Sequence, residues 1–252
     1  MSSPIDIGVL LAVGIAAGFI NVMAGGGSAI TLPTLIFLGL NSALANGTNR
    51  IAILIQNISA VISFKKEIRQ LPDQNFNLSL KLSLLTLPGA ILGVIIAVNI
   101  SDSLFKTILS IVMIGIIISM LLPGKKFSYN KENENLNWKI ILSMLFVGFY
   151  GGFIQVGVGF IIMAVLNNLM KLNLVHVNMH KVFIVLIYTI PAISIFLFTS
   201  NINWFYGISL AAGNAIGGWW AVKFQVKKGE KAVKILLTFA ILIMALKLIN
   251  II

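Results

Sequence analysis

The chain has 252 residues, of which 58% are hydrophobic and 10% are charged, and its mean hydropathy is +1.01. A soluble domain usually carries about 25% charged residues, so the composition excludes an ordinary soluble protein and predicts a helical membrane domain. The formal net charge is +11, and there is no cysteine. Disulfides, thiolate catalysis and cysteine metal sites are therefore excluded. The basic residues flank apolar segments, which favours orientation in a bilayer over binding of nucleic acid.

Ten apolar segments follow in chain order, and a transmembrane helix needs about 20 apolar residues. Their approximate limits are 5–23, 28–40, 44–64, 77–99, 103–123, 138–156, 159–171, 174–199, 203–225 and 231–250. We interpret the first segment as a retained span, because no basic region precedes it and no small-residue cleavage site follows it. Segments 28–40 and 159–171 are too short to span comfortably. The sequence thus predicts an all-α polytopic membrane protein of about ten hydrophobic segments, some of them short or re-entrant.

A glycine-rich break precedes each short segment. The first break contains Gly25, Gly26 and Gly27, and the second contains Gly157 and Gly159. Irregular backbone at membrane depth is tolerated only where it is buried in protein or lines a water-filled cavity. A broken helix also offers free backbone N–H groups and a positive dipole end, which favour an anion. Close helix packing is the alternative reason for these glycines.

The two halves of the chain resemble each other at an offset of about 130 residues. Gly18-Phe19-Ile20 aligns with Gly148-Phe149-Tyr150 and Gly27 with Gly157; one residue of slip later, Asn49-Arg50 aligns with His180-Lys181 and Asn57 with Tyr188. We predict two membrane repeats of five segments, residues 1–123 and 138–252, joined by a cytoplasmic linker, 124–137. Because five is an odd number, the repeats are inverted, a plan that recurs in transporters.

The distribution of basic residues orients the segments. The loops 65–76 and 223–234 and the linker contain lysine or arginine, whereas the loops near 100–103 and 200–203 contain neither. The positive-inside rule makes the first set cytoplasmic, and a ten-pass count then places both termini outside.

Arg50 and Lys181 each lie several residues inside an apolar segment. A cation at the bilayer centre costs about 2.5–3.5 kcal/mol on insertion scales, and snorkelling to an interface is one way to avoid that cost. Each cation also continues a polar stripe, because helical spacing places Asn57 on the face of Arg50 and Tyr188 on that of Lys181. Such a stripe faces protein or a cavity, although hydrogen bonding between helices also accounts for Gln56 and Asn57.

All seven acidic residues fall in termini, loops or segment edges. None of them is expected to neutralise Arg50 or Lys181, and a buried charge without a partner is costly. We therefore predict that the missing partner is an anionic ligand, for which the planar fork of arginine is suited. Sodium coupling lacks its usual carboxylate, whereas proton coupling through His180 stays open. The predicted substrate-binding residues are Arg50, Lys181, Asn49, His180, Gln56, Asn57, Gln155, Asn21, Gly25, Gly26, Gly27 and Gly157.

Three stretches of the sequence resemble a known family. Residues 18–33, from Gly18-Phe19-Ile20-Asn21 through Gly25-Gly26-Gly27 to Pro33, are similar to the first signature of the TauE/SafE sulfite exporter family, and Ala45-Asn46-Gly47-Thr48-Asn49-Arg50 resembles the stretch after it. The second copy of the signature resembles Gly148-Phe149-Tyr150-Gly151-Gly152-Phe153 with Gly157 and Gly159. Three residues depart from the family pattern in this half, namely Gln155, Val156 and His180. The resemblance implies a multi-pass transporter of the bacterial inner membrane that exports small sulfur-containing or organic anions, such as sulfite or sulfoacetate.

The predicted function is transport of a small anion by alternating access around the central cationic site. A passive channel that uses the same site is the main alternative, and it needs a continuous pore with weak binding. A membrane enzyme is disfavoured: His176 and His180 are spaced like two zinc ligands on a helix, but no glutamate lies near them. We predict no cofactor and no metal, the anion and the lipid bilayer as partners, and no nucleic acid; a homodimer is left open.

Overall fold

The computed structural model of the chain describes residues 4–67, 76–121 and 136–248. Within these ranges the protein consists of α-helices without strands, which confirms the predicted all-α fold. Nine helices follow in order there: α1 (Pro4–Ala24), α2 (Ser28–Phe37), α3 (Ser42–Glu67), α4 (Phe76–Asn99), α5 (Asp102–Leu121), α6 (Trp138–Phe153), α7 (Val158–Met170), α8 (Leu174–Phe198) and α9 (Trp204–Leu248). All but the last two residues of the predicted linker 124–137 lie outside the described residues.

Three of the described helices, α1, α4 and α8, are long and apolar enough to cross a membrane by their length and composition. The helices α2, α6 and α7 are apolar but shorter, with 10, 16 and 13 residues. Helix α3 has 26 residues, and the polar stripe around Arg50 lowers its mean hydropathy. The described chain therefore has the helices of a membrane domain, several of which are too short to span it alone.

The structure differs from the prediction near the end of the chain. The ninth and tenth predicted segments are joined in the single helix α9, which has 45 residues. The charged stretch between the two apolar runs contains one glycine, Gly229, and no proline. Lysine, glutamate and alanine are strong helix formers, so this stretch continues the helix instead of forming a loop. The predicted external position of the C-terminus depended on a break here, and the continuous helix does not support it.

Each glycine-rich break turns the chain back on itself. At the first break Gly25 has a φ of 91°, in the left-handed region, and Gly27 lies directly against the Ala17 carbonyl of α1. At the second break Gln155 and Gly157 have φ angles of 60° and 73°. Glycine adopts this region at little cost, whereas Gln155 holds a strained conformation that its surroundings must impose.

Two hydrophobic clusters lie toward opposite ends of the helix bundle, and α3 runs from one to the other. The first cluster contains Leu10 of α1 and Leu35 of α2. The second contains Ile140 of α6 and Met170 of α7. Helix α2 therefore returns toward the end at which α1 begins, and α7 returns toward the end at which α6 begins. The two broken helix pairs enter the bundle from opposite ends.

Glycines bring helices into backbone contact in two pairs, α1 with α9 and α4 with α6. In each pair a glycine lies against a carbonyl oxygen and against the amide nitrogen four residues later in the partner helix: Gly217 against Ile15 and Phe19, and Gly89 against Leu145 and Phe149. A side chain at either glycine would collide with the backbone opposite. Small residues at such contacts are what close packing of membrane helices requires.

Candidate functional site

Arg50 lies on α3 and is fully buried. Its Nη1 donates to the Gly151 carbonyl and its Nη2 to the Gly152 carbonyl, both at 2.7 Å. Nη2 also lies 3.4 Å from Asn46 Oδ1, and the guanidinium stands 5.6 Å from the centre of the Phe196 ring. Because Gly151 and Gly152 belong to the last turn of α6, Arg50 binds the carboxyl end of that helix.

Lys181 lies on α8 and is 2% exposed. Its Nζ donates to the Val22 carbonyl at 2.8 Å and to the Asn21 carbonyl at 3.1 Å. A third bond, of 2.7 Å, goes to Asn178 Oδ1. The two carbonyls belong to the last turn of α1, which ends at Ala24. Lys181 thus binds the carboxyl end of α1 as Arg50 binds that of α6.

An asparagine completes the hydrogen bonding at each helix end. Asn46 Nδ2 donates to the Phe153 carbonyl at 2.8 Å, and Asn178 Nδ2 donates to the Met23 carbonyl at 3.2 Å. Three consecutive carbonyls of each broken helix are therefore bonded to a cation and an asparagine from another helix. Since the carboxyl end of a helix carries a partial negative charge, a buried cation is stabilised there.

This arrangement corrects two expectations about Arg50 and Lys181. Both are buried in the protein, so the snorkelling alternative is wrong. The expectation that the protein supplies no partner is also wrong, because main-chain carbonyls bind both cations. Residue types do not reveal these acceptors, since every residue carries a carbonyl. None of the described hydrogen bonds of either cation goes to a carboxylate. Each full charge therefore meets only partial charges, those of a helix end and of an asparagine oxygen.

A small cavity of about 10 Å³ lies beside Lys181. Its wall is formed by Asn21, Ser28, Asn57, Gln155, Val158, Gly159, Lys181 and Val185. Ser28 is the first residue of α2 and Val158 the first residue of α7. Neither helix has a side-chain cap at this end, although the amides of Ala29, Val158 and Phe160 donate to main-chain carbonyls of the breaks. The amino ends of two short helices and one ammonium group thus meet at the cavity.

Three amide side chains, from Asn21, Asn57 and Gln155, also reach the cavity wall. Asn57 Nδ2 donates to the Ile53 carbonyl at 2.7 Å. Gln155 Oε1 is buried and has no hydrogen-bond partner in the described structure. The oxygen and nitrogen of an amide are assigned from the surrounding hydrogen bonds, so a flipped Gln155 would present its NH₂ group to the cavity.

Two further predicted residues, Asn49 and Gln56, lie next to the cavity wall and hold members of it. Asn49 Nδ2 donates to Ser28 Oγ at 3.4 Å, and its Oδ1 accepts from Thr31 Oγ1 at 2.7 Å. Gln56 Oε1 accepts from Asn21 Nδ2 at 3.2 Å. Both residues therefore orient groups that line the cavity without lining it themselves.

His180 is not part of the cavity wall, although it precedes Lys181 in the chain. Its Nδ1 lies 2.7 Å from Ser79 Oγ on α4. Successive residues of a helix point about 100° apart, which separates the two side chains. The His176 Nδ1 lies 2.9 Å from Asn173 Nδ2, and no group of three metal-ligating residues comes together in the described part of the chain.

The two breaks meet at a backbone contact between Gly25 and Gly159. A Cβ atom on either glycine would collide with the backbone of the other. Gly27 and Gly157 are the N-cap residues of α2 and α7, and the Gly26 carbonyl accepts from the Ala29 amide at 3.0 Å. Close packing, the alternative reason for these glycines, thus applies to Gly25 and Gly159.

Sequence reasoning missed Asn46, Asn178 and Ser28. Each asparagine lies three or four residues before a cation on the same helix, a spacing at which side chains are neighbours. That spacing could have indicated that each asparagine lies beside its cation. Ser28 directly follows the first break, so its place at a helix start was a signal as well.

The chain matches the family model of the sulfite exporter TauE/SafE over residues 10–248. The protein belongs to the TauE/SafE sulfite exporter family. Membership of this family, together with the apolar helices, makes the chain a multi-pass membrane protein of the transporter type. The resemblance that was drawn from the glycine-rich stretches is confirmed over nearly the whole chain.

Relatives of this TauE/SafE member occur in several bacteria. The chain is 27% identical to the "Probable membrane transporter protein YfcA" of Escherichia coli, over 99% of this chain and 91% of that protein. It is 26% identical to the "Probable membrane transporter protein ORF9" of a Sinorhizobium species, over 92% and 88%. It is 27% identical to a "Probable membrane transporter protein" of Haemophilus influenzae, over 96% and 94%. No solved structure matches the chain.

Proposed function

We propose that this TauE/SafE protein carries a small oxyanion, of the sulfite or sulfoacetate kind, across the bacterial inner membrane by alternating access. The observation that carries the proposal is the cavity beside Lys181, where one ammonium group and the amino ends of α2 and α7 converge. Export is the direction that an interior-negative membrane potential favours for an anion.

The chemistry of the cavity wall supports an anion over a cation or a neutral solute. Ser28 and the amides of Asn21, Asn57 and Gln155 supply hydrogen-bond donors, and no residue of the wall is acidic. Each helix amino end contributes about half a positive charge. The Lys181 ammonium already donates to three acceptors in the protein, so it would act on the anion through its charge.

The size of the cavity supports a carrier. About 10 Å³ is room for roughly one water molecule, so an oxyanion fits only after the surrounding helices move apart. A carrier that alternates between two open states passes through such a closed state, whereas a channel needs a continuous pore.

The packing of the helices joins the two predicted repeats, 1–123 and 138–252, because α1 packs on α9 and α4 packs on α6. The predicted offset of 130 residues relates Ile15 and Phe19, against which Gly217 lies, to Leu145 and Phe149, against which Gly89 lies. It also relates the carbonyls that bind the two cations. Each cation binds the broken helix of the other repeat, so both cations hold a broken helix in place beside the cavity, and a movement that opens the cavity would change these contacts.

Replacing Asn178 with aspartate tests whether the charge of Lys181 binds the anion. A carboxylate would take the position of Asn178 Oδ1, which lies 2.7 Å from Lys181 Nζ, and would neutralise the ammonium. Gln225 now accepts from Asn178 at 2.7 Å, and its unpaired Nε2 can donate to the new carboxylate once the amide flips. The Met23 carbonyl loses the bond from Asn178 Nδ2 but the bonds of Lys181 to Asn21 and Val22 stay, so we expect the protein to fold with a lower Tm. The affinity for sulfite should fall by roughly tenfold or more, about 1.4 kcal/mol. Calorimetry on purified protein titrated with sodium sulfite measures this.

The matched control is Asn203→Asp, which adds the same charge at a residue that is not part of the cavity wall. Asn203 caps the start of α9 through its Oδ1, which accepts from the Tyr206 amide at 3.1 Å, and aspartate is an equally good cap. The control should bind sulfite as the unaltered protein does. Equal affinities in Asn178→Asp and Asn203→Asp would refute the assignment of Lys181 as the anion-binding cation.

A further inference from the structure

The repeat gives the cavity a counterpart elsewhere in the molecule. Lys181 corresponds to Arg50, and Asn57 corresponds to Tyr188. At the counterpart, the Tyr188 side chain fills the space that is open beside Asn57, and Tyr188 is 0% exposed. Gly151 makes room for the ring, since a Cβ atom there would lie 2.9 Å from the Tyr188 hydroxyl. The counterpart is therefore a site of similar construction that is filled by a side chain.

Two buried polar groups at this counterpart, Arg50 Nε and the Tyr188 hydroxyl, have no hydrogen-bond partner in the described structure. A guanidinium has five N–H donors, and the bonds to Gly151, Gly152 and Asn46 use three of them. Arg50 therefore has uncommitted donors, and a buried donor that stays unpaired is unfavourable. Both groups point to a ligand that is bound here in another conformation.

The two cations lie toward opposite ends of the bundle. Helix α3 begins in the cluster that contains Leu10, and α8 begins in the cluster that contains Ile140. Each cation lies about two turns, or roughly 10–12 Å, from the start of its helix. An anion that crosses the protein therefore meets one cation in the first half of its path and the other in the second half.

We propose that Arg50, Tyr188 and the end of α6 form a second binding station for the same small oxyanion, which the Tyr188 ring closes in this conformation. The inference rests on the proposed function, because it adds a second station to the path of the anion that binds beside Lys181. When the ring moves away, Arg50 Nε and the Tyr188 hydroxyl donate to the oxygens of the anion. Tyr188 is thus the gate of the station at Arg50.

Substitution of Tyr188 tests the gate. Tyr188→Asn introduces the residue of the corresponding position, Asn57, and removes the ring; Tyr188→Phe keeps the ring and serves as the matched control. Calorimetry with sodium sulfite is expected to give one bound anion per chain for the unaltered protein and for Tyr188→Phe, and two for Tyr188→Asn. A single bound sulfite in folded Tyr188→Asn would overturn the second station.

A second variant, Asn46→Asp, tests the station without touching Tyr188. Its carboxylate would lie where Asn46 Oδ1 now lies, 3.4 Å from Arg50 Nη2, and would neutralise Arg50. We expect sulfite binding beside Lys181 to stay within about twofold of the unaltered protein, while sulfite uptake into proteoliposomes falls by roughly tenfold or more. Unchanged uptake in Asn46→Asp overturns the second station even where Tyr188→Asn fails to fold.

The outcomes separate this inference from the proposed function. If the unaltered protein binds no sulfite and no related anion, the proposed function fails and the second station fails with it. If the unaltered protein binds one sulfite and Asn178→Asp abolishes that binding, the site at Lys181 stands. A single bound sulfite in Tyr188→Asn and unchanged uptake in Asn46→Asp would then refute only the second station at Arg50.

Discussion

At the scale of single residues, Arg50 and Lys181 combine a structural task with a charge. The sequence predicts that both are buried and correspond to each other, because each interrupts an apolar segment at a matching place. Their partners could not be predicted, since the acceptors are main-chain carbonyls more than 100 residues away in the chain. An alanine at either position therefore removes a charge and the bonds of the cation to the helix end. An aspartate beside the cation keeps those bonds and loses only the single bond that the asparagine donates to the same helix end.

Arg50→Ala is expected to destabilise the folded protein. The substitution leaves the carbonyls of Gly151 and Gly152 without their donors, and each unpaired buried group costs about 1–3 kcal/mol. A thermal-unfolding measurement in detergent should show a lower Tm. The control is Lys106→Ala, which removes an ion pair of 2.7 Å with Asp102 whose two side chains are 47% and 44% exposed. Such pairs contribute little, and a larger loss of Tm in Lys106→Ala would contradict the capping role of Arg50.

At the scale of elements, the glycine-rich breaks are the features that the sequence predicted best. Their composition indicated where α1 and α6 end and where the short helices begin. The contact of Gly25 with Gly159 could not be predicted, because it joins breaks that are far apart in the chain. The continuous helix α9 was missed for a different reason: a charged stretch between apolar runs resembles a loop, but its residues favour a helix.

The contact between the breaks can be tested with Gly159→Ala. The added Cβ atom would collide with the backbone of Gly25, so the two breaks would have to separate. We expect a lower Tm and weaker sulfite binding, because Ser28 and Val158 would no longer face the same cavity. The control is Gly115→Ala on α5, where a Cβ atom meets nothing within 4 Å and alanine is the better helix former. Equal effects of the two substitutions would mean that the contact does not position the cavity.

At the scale of the whole molecule, the pairing of helices follows the offset that was found in the sequence. The offset predicts which residues correspond, but not that α1 pairs with α9 and α6 with α4, because the pairing depends on the third dimension. The backbone contacts of Gly217 and Gly89 in the structure show this pairing. The same limit applies to the site. The sequence predicts Lys181 and the glycines of the first break as site residues, but only the structure shows that the Tyr188 side chain fills the corresponding space at Arg50.

Inverted repeats predict that the loop after α2 and the last turn of α7 lie on opposite sides of the membrane. The chain contains no cysteine, so Asn41→Cys and Asn168→Cys can each be labelled as the single thiol, and both positions are exposed. A membrane-impermeant maleimide should label Asn41→Cys in whole cells or spheroplasts and Asn168→Cys only in inverted vesicles, following the positive-inside rule. Labelling of both from one side would contradict the inverted arrangement.

The most direct test of an anion carrier centred on Lys181 is solute counterflow in proteoliposomes. Vesicles loaded with unlabelled sulfite are diluted into a trace of radiolabelled sulfite, and the internal label is followed with time. A carrier predicts a transient accumulation of label above the external concentration. Outward transport of unlabelled sulfite returns the site to the outside, where it binds label, and the excess of unlabelled sulfite inside competes with the label for exit. The accumulation should persist in Asn203→Asp and disappear in Asn178→Asp. Absence of counterflow in the unaltered protein, or equal counterflow in both variants, would contradict a carrier with its site at Lys181.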